Sequence, residues 1–164
     1  MPTIAGLLTS KTVGMMTAPE GLNAAIGELK QDANLAISLI SGSQIFSKNV
    51  AMELAERSVA IQYPTLHVYC EKLSNLLTEK FRTFSGRGEM TIEVRVSDDR
   101  LDDVDSKLRT YVDAVTQVLD RNRGNWDNGL FYTGGYEVSF GPVKQGGRHF
   151  IQIAKITFEV QVSA

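Results

Sequence analysis

The chain has 164 residues, 43% of them hydrophobic, with 17 Lys plus Arg against 19 Asp plus Glu and a formal net charge of −2. That length suits one domain burying roughly 70% of the surface its unfolded form exposes, and the near-balance of charge lacks the cationic excess of a nucleic-acid binder, leaving only a local basic patch open. The single cysteine, Cys70, excludes an internal disulfide, the longest apolar runs fall short of the ~20 residues of a membrane span, and the first residues carry no secretory pattern, so the expectation is a protein kept in a reducing cytoplasm with no membrane partner.

Residues 1–16 are small, weakly apolar and without a clear period, and Gly6 and Gly14 interrupt a helix. They are expected to form a flexible N-terminal arm, or one that orders only against a neighbouring subunit. The domain proper is expected over residues 17–164. Thr17-Ala18-Pro19-Glu20 reads as a helix start, with Thr17 as cap, Pro19 in the first turn and Glu20 at the capping-box position. Leu22, Ala25, Ile26, Leu29, Ala33, Ala36, Ile37 and Ile40 continue one stripe to Ser41-Gly42, which predicts a first long helix.

Over residues 43–60 the signal is weaker, with Ser47 as the cap of a short helix through Asn49, Ala51, Met52, Leu54, Ala55 and Glu56. A strand is expected over residues 62–70, because Leu66, Val68 and Cys70 alternate with His67 and Tyr69 and Pro64 belongs near a strand start. In the polar stretch that follows, Leu76, Leu77, Phe81 and Phe84 are the expected anchors, and Ser85-Gly86-Arg87-Gly88 reads as a turn. The arrangement expected is a hairpin between residues 78–84 and 89–96. In the latter Met90, Ile92, Val94 and Val96 alternate with Glu93 and Arg95, the period of a strand with one buried face.

The period then changes to that of a helix. Leu101, Val104, Leu108, Tyr111, Val112, Val115, Val118 and Leu119 fall on one stripe, with Asp98 or Asp99 as cap, Asp102 and Asp103 at the positive end of the dipole and Arg121 and Arg123 at the negative end. Residues 122–128 read as a polar loop around Trp126, and residues 130–140 as an extended segment interrupted by Gly134-Gly135, beyond which Tyr136, Val138 and Phe140 face one way. After a connection over residues 141–148, the last strand is expected over residues 149–162. That strand spans about 40 Å at ~3.3 Å per residue, against about 28 Å for the second long helix. Either the first helix covers the remainder of the sheet or a second copy of the chain does. The fold class expected is α+β: a mixed, mainly antiparallel sheet with two long helices packed against it in a single domain.

Catalytic constellations are weak throughout. His67 and Cys70, three apart on a strand, point to opposite faces and do not meet as base and nucleophile unless the strand bends. One cysteine and two distant histidines do not suggest a zinc site, and Asp98, Asp99, Asp102, Asp103 and Asp105 are better explained as a helix start than as a calcium loop. Neither Ser85-Gly86-Arg87-Gly88 nor Gly146-Gly147 leads into the Lys-Ser/Thr of a phosphate loop. The expectation is therefore no catalytic residue, no metal and no cofactor. Arg82 and Arg87 beside Phe81 and Phe84 make a small basic and aromatic surface, read first as a solvated hairpin tip and second as a nucleic-acid contact. The loop holding Trp126, Phe131 and Tyr132 reads equally as a contact surface and as core anchoring.

Taken together, the order of elements resembles the tail terminator (tail completion) proteins of long-tailed bacteriophages and prophages. The likeness runs from about residue 19 to 162: a long N-terminal helix, the YPTLHVY segment, a hairpin ending in EMTIEVRV, a second long helix, and the strands GYEVSF and IAKITFEVQV. The resemblance implies a small α/β subunit of the virion neck, assembled in the host cytoplasm as a hexameric ring on the head-proximal end of the tail tube. There it would stop tube polymerisation and offer a docking surface to the head-tail connector, with DNA only as transient cargo. The expected partners are further copies of the chain, the tube protein and the connector or stopper. Candidate subunit or tube contacts, taken from aromatics and turns rather than from a family motif, are Phe131, Tyr132, Tyr136, Arg148 and Phe150, with Arg82 and Arg87 at the hairpin tip. A head-tail stopper or tail tube subunit is the alternative, and a cytoplasmic ligand-binding domain with a pocket between sheet and helices a more distant one.

Overall fold

The computed structural model describes residues 3–30, 37–49, 62–146 and 148–164. In chain order its elements are α1 (Ile4–Thr17), α2 (Leu22–Lys30), a 3₁₀ turn (Gly42–Gln44), β1 (Ile45–Phe46), β2 (Thr65–Asn75), β3 (Ser85–Asp98), α3 (Leu101–Arg121), β4 (Gly124–Asp127), β5 (Leu130–Tyr132), β6 (Tyr136–Phe140), β7 (Lys144–Gly146) and β8 (His149–Ser163). They form one α+β unit, a mixed sheet of eight strands with helices on one face.

The sheet is organised on the two longest strands, β3 and β8, paired antiparallel from Ser85↔Ser163 to Asp98↔Phe150. On one side β2 pairs β3 antiparallel and the short β1 adds in parallel, which makes the sheet mixed. On the other side β5, β6 and β7 follow one another along the free edge of β8 as a composite antiparallel partner, with β4 beyond β5. Breaking that edge into three pieces is the work of Gly134-Gly135 and of residues 141–143, so the expected interruption of residues 130–140 is present.

Alternation gives the sheet two unlike faces. Leu66 and Val68 of β2, Met90, Ile92, Val94 and Val96 of β3, and Ala154, Ile156, Phe158, Val160 and Val162 of β8 are buried against the stripe Val104, Leu108, Tyr111, Val112, Val115, Val118 and Leu119 of α3. α3 begins and ends within two residues of expectation, but its cap is not an aspartate. Arg100 holds the cap position without a side-chain capping bond, while Asp98 accepts from the Arg100 N–H at 2.9 Å and pairs with Lys107 nearly two turns into the helix.

The N-terminal arm and the first long helix need correction. Residues 4–17 form α1, capped by Thr3, whose hydroxyl accepts from the Gly6 N–H at 3.0 Å, and Leu8, Thr12 and Met16 are buried beside β2, β3 and α2. Thr17 ends α1 rather than capping the next helix, returning its hydroxyl to the Val13 carbonyl at 2.9 Å. The absence of a strong helical stripe concealed α1, because its neighbours bury only part of one face. Gly21 makes the corner into α2: a Cβ there would stand 2.4 Å from the Met15 carbonyl oxygen and 2.8 Å from that of Met16. α2 is seen to Lys30, and residues 37–40 are no longer helical; they are clasped by Asn23, which gives and takes a 2.8 Å hydrogen bond with the Ile40 backbone, and by Tyr111, whose hydroxyl donates to the Ser38 carbonyl at 2.8 Å. The short helix expected after Ser47 falls mostly outside the described residues.

The expected strand over residues 78–84 is absent: those residues are a loop, and the partner of residues 89–96 in the hairpin is the strand before it. The hairpin strands are β2 and β3, joined by residues 76–84, with a bulge at Glu71 that shifts the register between Cys70 and Lys72. Ser85-Gly86-Arg87-Gly88 is the start of β3 and not a turn. Gly86 suits a strand here because the Ser74 carbonyl oxygen of β2 would lie 1.9 Å from any Cβ it carried. Among the described residues no helix is long and apolar enough to cross a membrane.

Candidate functional site

The face of the sheet away from the helices carries a polar network that alternation alone assigns to solvent. Thr65, His67 and Tyr69 of β2 and Thr91, Glu93 and Arg95 of β3 alternate with the core residues, yet all six are buried. At its centre Arg95 donates to Glu93 through Nη2 at 2.6 Å and Nε at 3.2 Å, Tyr69 donates to the other Glu93 oxygen at 3.0 Å, and the Lys155 ammonium stands 3.5 Å away. Burial works against ionisation of Glu93, but the hydrogen bonds from Arg95 and Tyr69 and the charges of Arg95 and Lys155 outweigh it and hold the carboxyl below its usual range. The same burial and the bonded carboxylate push the Tyr69 hydroxyl up.

His67 closes the network on the β1 side. Its ring stacks on Phe46 with centroids 5.0 Å apart, and Nδ1 lies 3.3 Å from the Lys48 carbonyl. Desolvation, with the charge of Arg95, lowers its pKa, so it stays neutral near pH 7. Cys70 projects on the opposite face, opposite Met90, where burial raises its thiol. The two do not meet, and neither is poised as base or nucleophile. Among the described residues no group of three or more His, Cys, Asp or Glu is placed to hold a metal ion.

Beside this network the surface opens into two adjoining depressions. One, of about 550 Å³, is lined by Glu71, Glu89, Glu137 and Glu159 with Thr133, Tyr136 and Thr157. The other, of similar size, lies against the loop of residues 76–84 and includes Leu76, Glu79, Arg87, Phe131 and Gln161. Thr133 and Glu159 border both.

The seven contact candidates do not gather into one site. Phe131 is 46% exposed, and with Arg87 it lines the second depression; Tyr136, 37% exposed, lines the first. Arg87 belongs to β3 rather than to a hairpin tip and pairs with Glu159 at 3.8 Å, while Arg82 is in the loop, 3.6 Å from Glu79. Arg148 is exposed just before β8, and Phe150, partly buried, packs on the core. Counted along β8, Phe150 stands eleven residues from the Gln161 that pairs with Phe131, roughly 36 Å.

Tyr132 has to be withdrawn from a surface role, because it is fully buried. Its ring meets Trp126 at 5.5 Å and Phe158 at 5.3 Å, and its hydroxyl donates to the Gly135 carbonyl at 3.1 Å. Burial, with the charge of Asp120 nearby, drives its pKa up to about 12. Trp126 is anchored with it, donating to the Asn122 carbonyl at 2.7 Å from β4. Core anchoring is thus the outcome for Trp126 and Tyr132, and contact surface remains open for Phe131.

The converse error concerns residues 76–84. Leu76, Leu77 and Phe81, expected as anchors, are 58%, 65% and 103% exposed, and of the four only Phe84 packs on the core. Phe46 and Phe140 are exposed aromatics outside the expected contact candidates. The paired alternation of His67 and Tyr69 with Glu93 and Arg95 was the available signal for the buried network. No protein-family model matches the chain, and no curated protein matches it either.

Proposed function

We propose that the chain is a structural subunit of a long-tailed bacteriophage or prophage tail, a tail terminator that closes into a hexameric ring on the head-proximal end of the tail tube. In this reading it stops tube growth, offers its outer face to the head-tail connector, and lets DNA pass as transient cargo. It works in the virion neck with no cofactor and no catalytic step. The observation that carries the reading is how the surface is divided. Helices cover one face of the sheet, while the outer edge and the loop turn Phe81, Phe131, Tyr136 and Phe140 to solvent, large apolar groups of the kind that anchor contacts between subunits. The resemblance drawn from the sequence, which ends in the second long helix and the strands GYEVSF and IAKITFEVQV, supports the same reading. A ring subunit needs two unlike contact surfaces, one completed by the next copy and one by the previous.

The test is the mass of the purified chain by light scattering across a concentration series, followed by mixing with tube subunits purified from the same source. The expected result is a closed ring, or a monomer that becomes one on tube ends and leaves shorter tubes in electron micrographs. A monomer that leaves tube length unchanged overturns the reading.

A further inference from the structure

We infer that the loop of residues 76–84 seats on the acidic depression of a second copy of this chain. Leu77 and Phe81 both have positive φ, 49° and 67°, a conformation that bulky residues adopt rarely, and both point into water. The loop is nonetheless fixed. Asn75 accepts from the Leu77 and Ser85 N–H groups at 3.3 Å and 3.1 Å and donates to the Thr83 carbonyl at 3.1 Å, while the Glu79 N–H donates to the Ser85 hydroxyl at 3.0 Å. Phe81 is therefore presented on an ordered loop, which lowers the entropy lost when it docks. Lys80 and Arg82 flank it, and the Arg82 pair with Glu79 is an exposed one that yields readily to a better partner.

The receiving surface has the opposite character. Glu71, Glu89, Glu137 and Glu159 line a depression of about 550 Å³ with Tyr136 at its edge. Among the described residues the ion pair there is Arg87 with Glu159 at 3.8 Å; Lys72 stands opposite Glu89 in the ladder without pairing to it. Four carboxylates against the paired Arg87 and the neighbouring Lys72 leave the depression acidic, a match for Lys80 and Arg82 around an aromatic tip. The loop does not reach the depression of its own chain, since Phe81 remains fully exposed. Each copy thus carries both halves of a contact, on different patches. Such a contact is heterologous, and whether it closes rests on the ring reading above.

The test is light scattering across a concentration series at low and at moderate salt, with thermal melting to show that each variant is folded. The variants are Lys80→Glu with Arg82→Glu in the loop, Glu89→Lys with Glu137→Lys in the depression, the four changes together, and Phe81→Ser, which removes no contact within the subunit. Each pair of reversals and Phe81→Ser should weaken self-association at least about tenfold. The four changes together should restore it, and salt should weaken the natural association. Association unchanged in the loop reversal and in Phe81→Ser overturns the contact while leaving the ring reading standing. A folded four-fold variant that fails to reassociate also overturns it. A natural chain that is monomeric throughout, alone and with tubes, overturns the ring reading and this contact with it.

Discussion

Glu93 and Arg95, two residues apart on β3, share one face of the sheet and form an ion pair at 2.6 Å with both side chains less than a tenth exposed. A buried pair contributes little by comparison with apolar residues of the same shape, but removing one partner is costly, because the other remains in a site built for two charges. Glu93→Ala takes away the carboxylate that Arg95, Tyr69 and Lys155 all address, and should cost about 3 kcal/mol in urea unfolding. The pH dependence has a definite sign. The Glu93 carboxyl is held below its unfolded value, so its contribution is fully present above the unfolded pKa and is lost as pH falls through the folded one. Asp98 behaves alike: burial opposes its ionisation, but the Lys107 ammonium and the Arg100 N–H outweigh it and lower its pKa. Unfolding midpoints measured downward from neutral pH should fall through the acid range, and Glu93→Gln should flatten that fall.

α1 gives a second prediction, since it is part of the domain rather than an arm. Leu8 is fully buried where α1 lies on the β2–β3 hairpin. Leu8→Ala leaves a cavity between them and should cost about 2–4 kcal/mol in chemical unfolding. Backbone amides of residues 4–17 in the natural chain should show hydrogen-exchange protection well above that of an unstructured segment. Fast exchange there, with Leu8→Ala without effect, would return these residues to the status of an arm.

Much of this fold was legible because its long elements satisfy several local rules at once. α3 and β8 combine an unbroken period with suitable ends, so their extents were read to within two residues. What escaped had a tertiary cause. α1 has no strong stripe, and Thr17-Ala18-Pro19-Glu20 satisfies the rules of a helix start while the chain uses Thr17 to finish the helix before. Ser85-Gly86-Arg87-Gly88 has turn composition, but its glycines answer a close strand. The surface was less legible still. Phe131 and Tyr132 are adjacent aromatics that composition cannot separate, and the left-handed backbone at Leu77 and Phe81 has no signature in residue type.

Gly86 offers a test of that account. If it were a turn glycine, alanine would be tolerated wherever φ is ordinary; in β3 the Ser74 carbonyl oxygen would stand 1.9 Å from the new Cβ. The β2 backbone must move, at the end of the hairpin where Asn75 and Ser85 hold the loop. Gly86→Ala should therefore destabilise by about 1–3 kcal/mol, the cost of forcing extra volume into a closed contact. Exchange of the amides of residues 76–84 should rise with it. Full stability in thermal and urea unfolding would contradict the close approach.

Phe131 and Tyr132 should give opposite results on substitution by alanine. Tyr132 fills the space between Trp126 and Phe158, so Tyr132→Ala should cost about 3–5 kcal/mol. Trp126 is the only tryptophan in the chain and is buried, so its fluorescence should shift to longer wavelength as that packing is lost. Tyr132→Phe keeps the ring and removes only the hydrogen bond to the Gly135 carbonyl, for about 1 kcal/mol. Phe131 lies on the other face of β5, half in water, and Phe131→Ala should leave the unfolding midpoint within about 0.5 kcal/mol of the natural chain. If the outer edge of the sheet is a contact between copies, the same substitution should lower the association measured by light scattering. A variant that unfolds early places Phe131 in the core, and one that changes neither stability nor association removes it from the assembly surface.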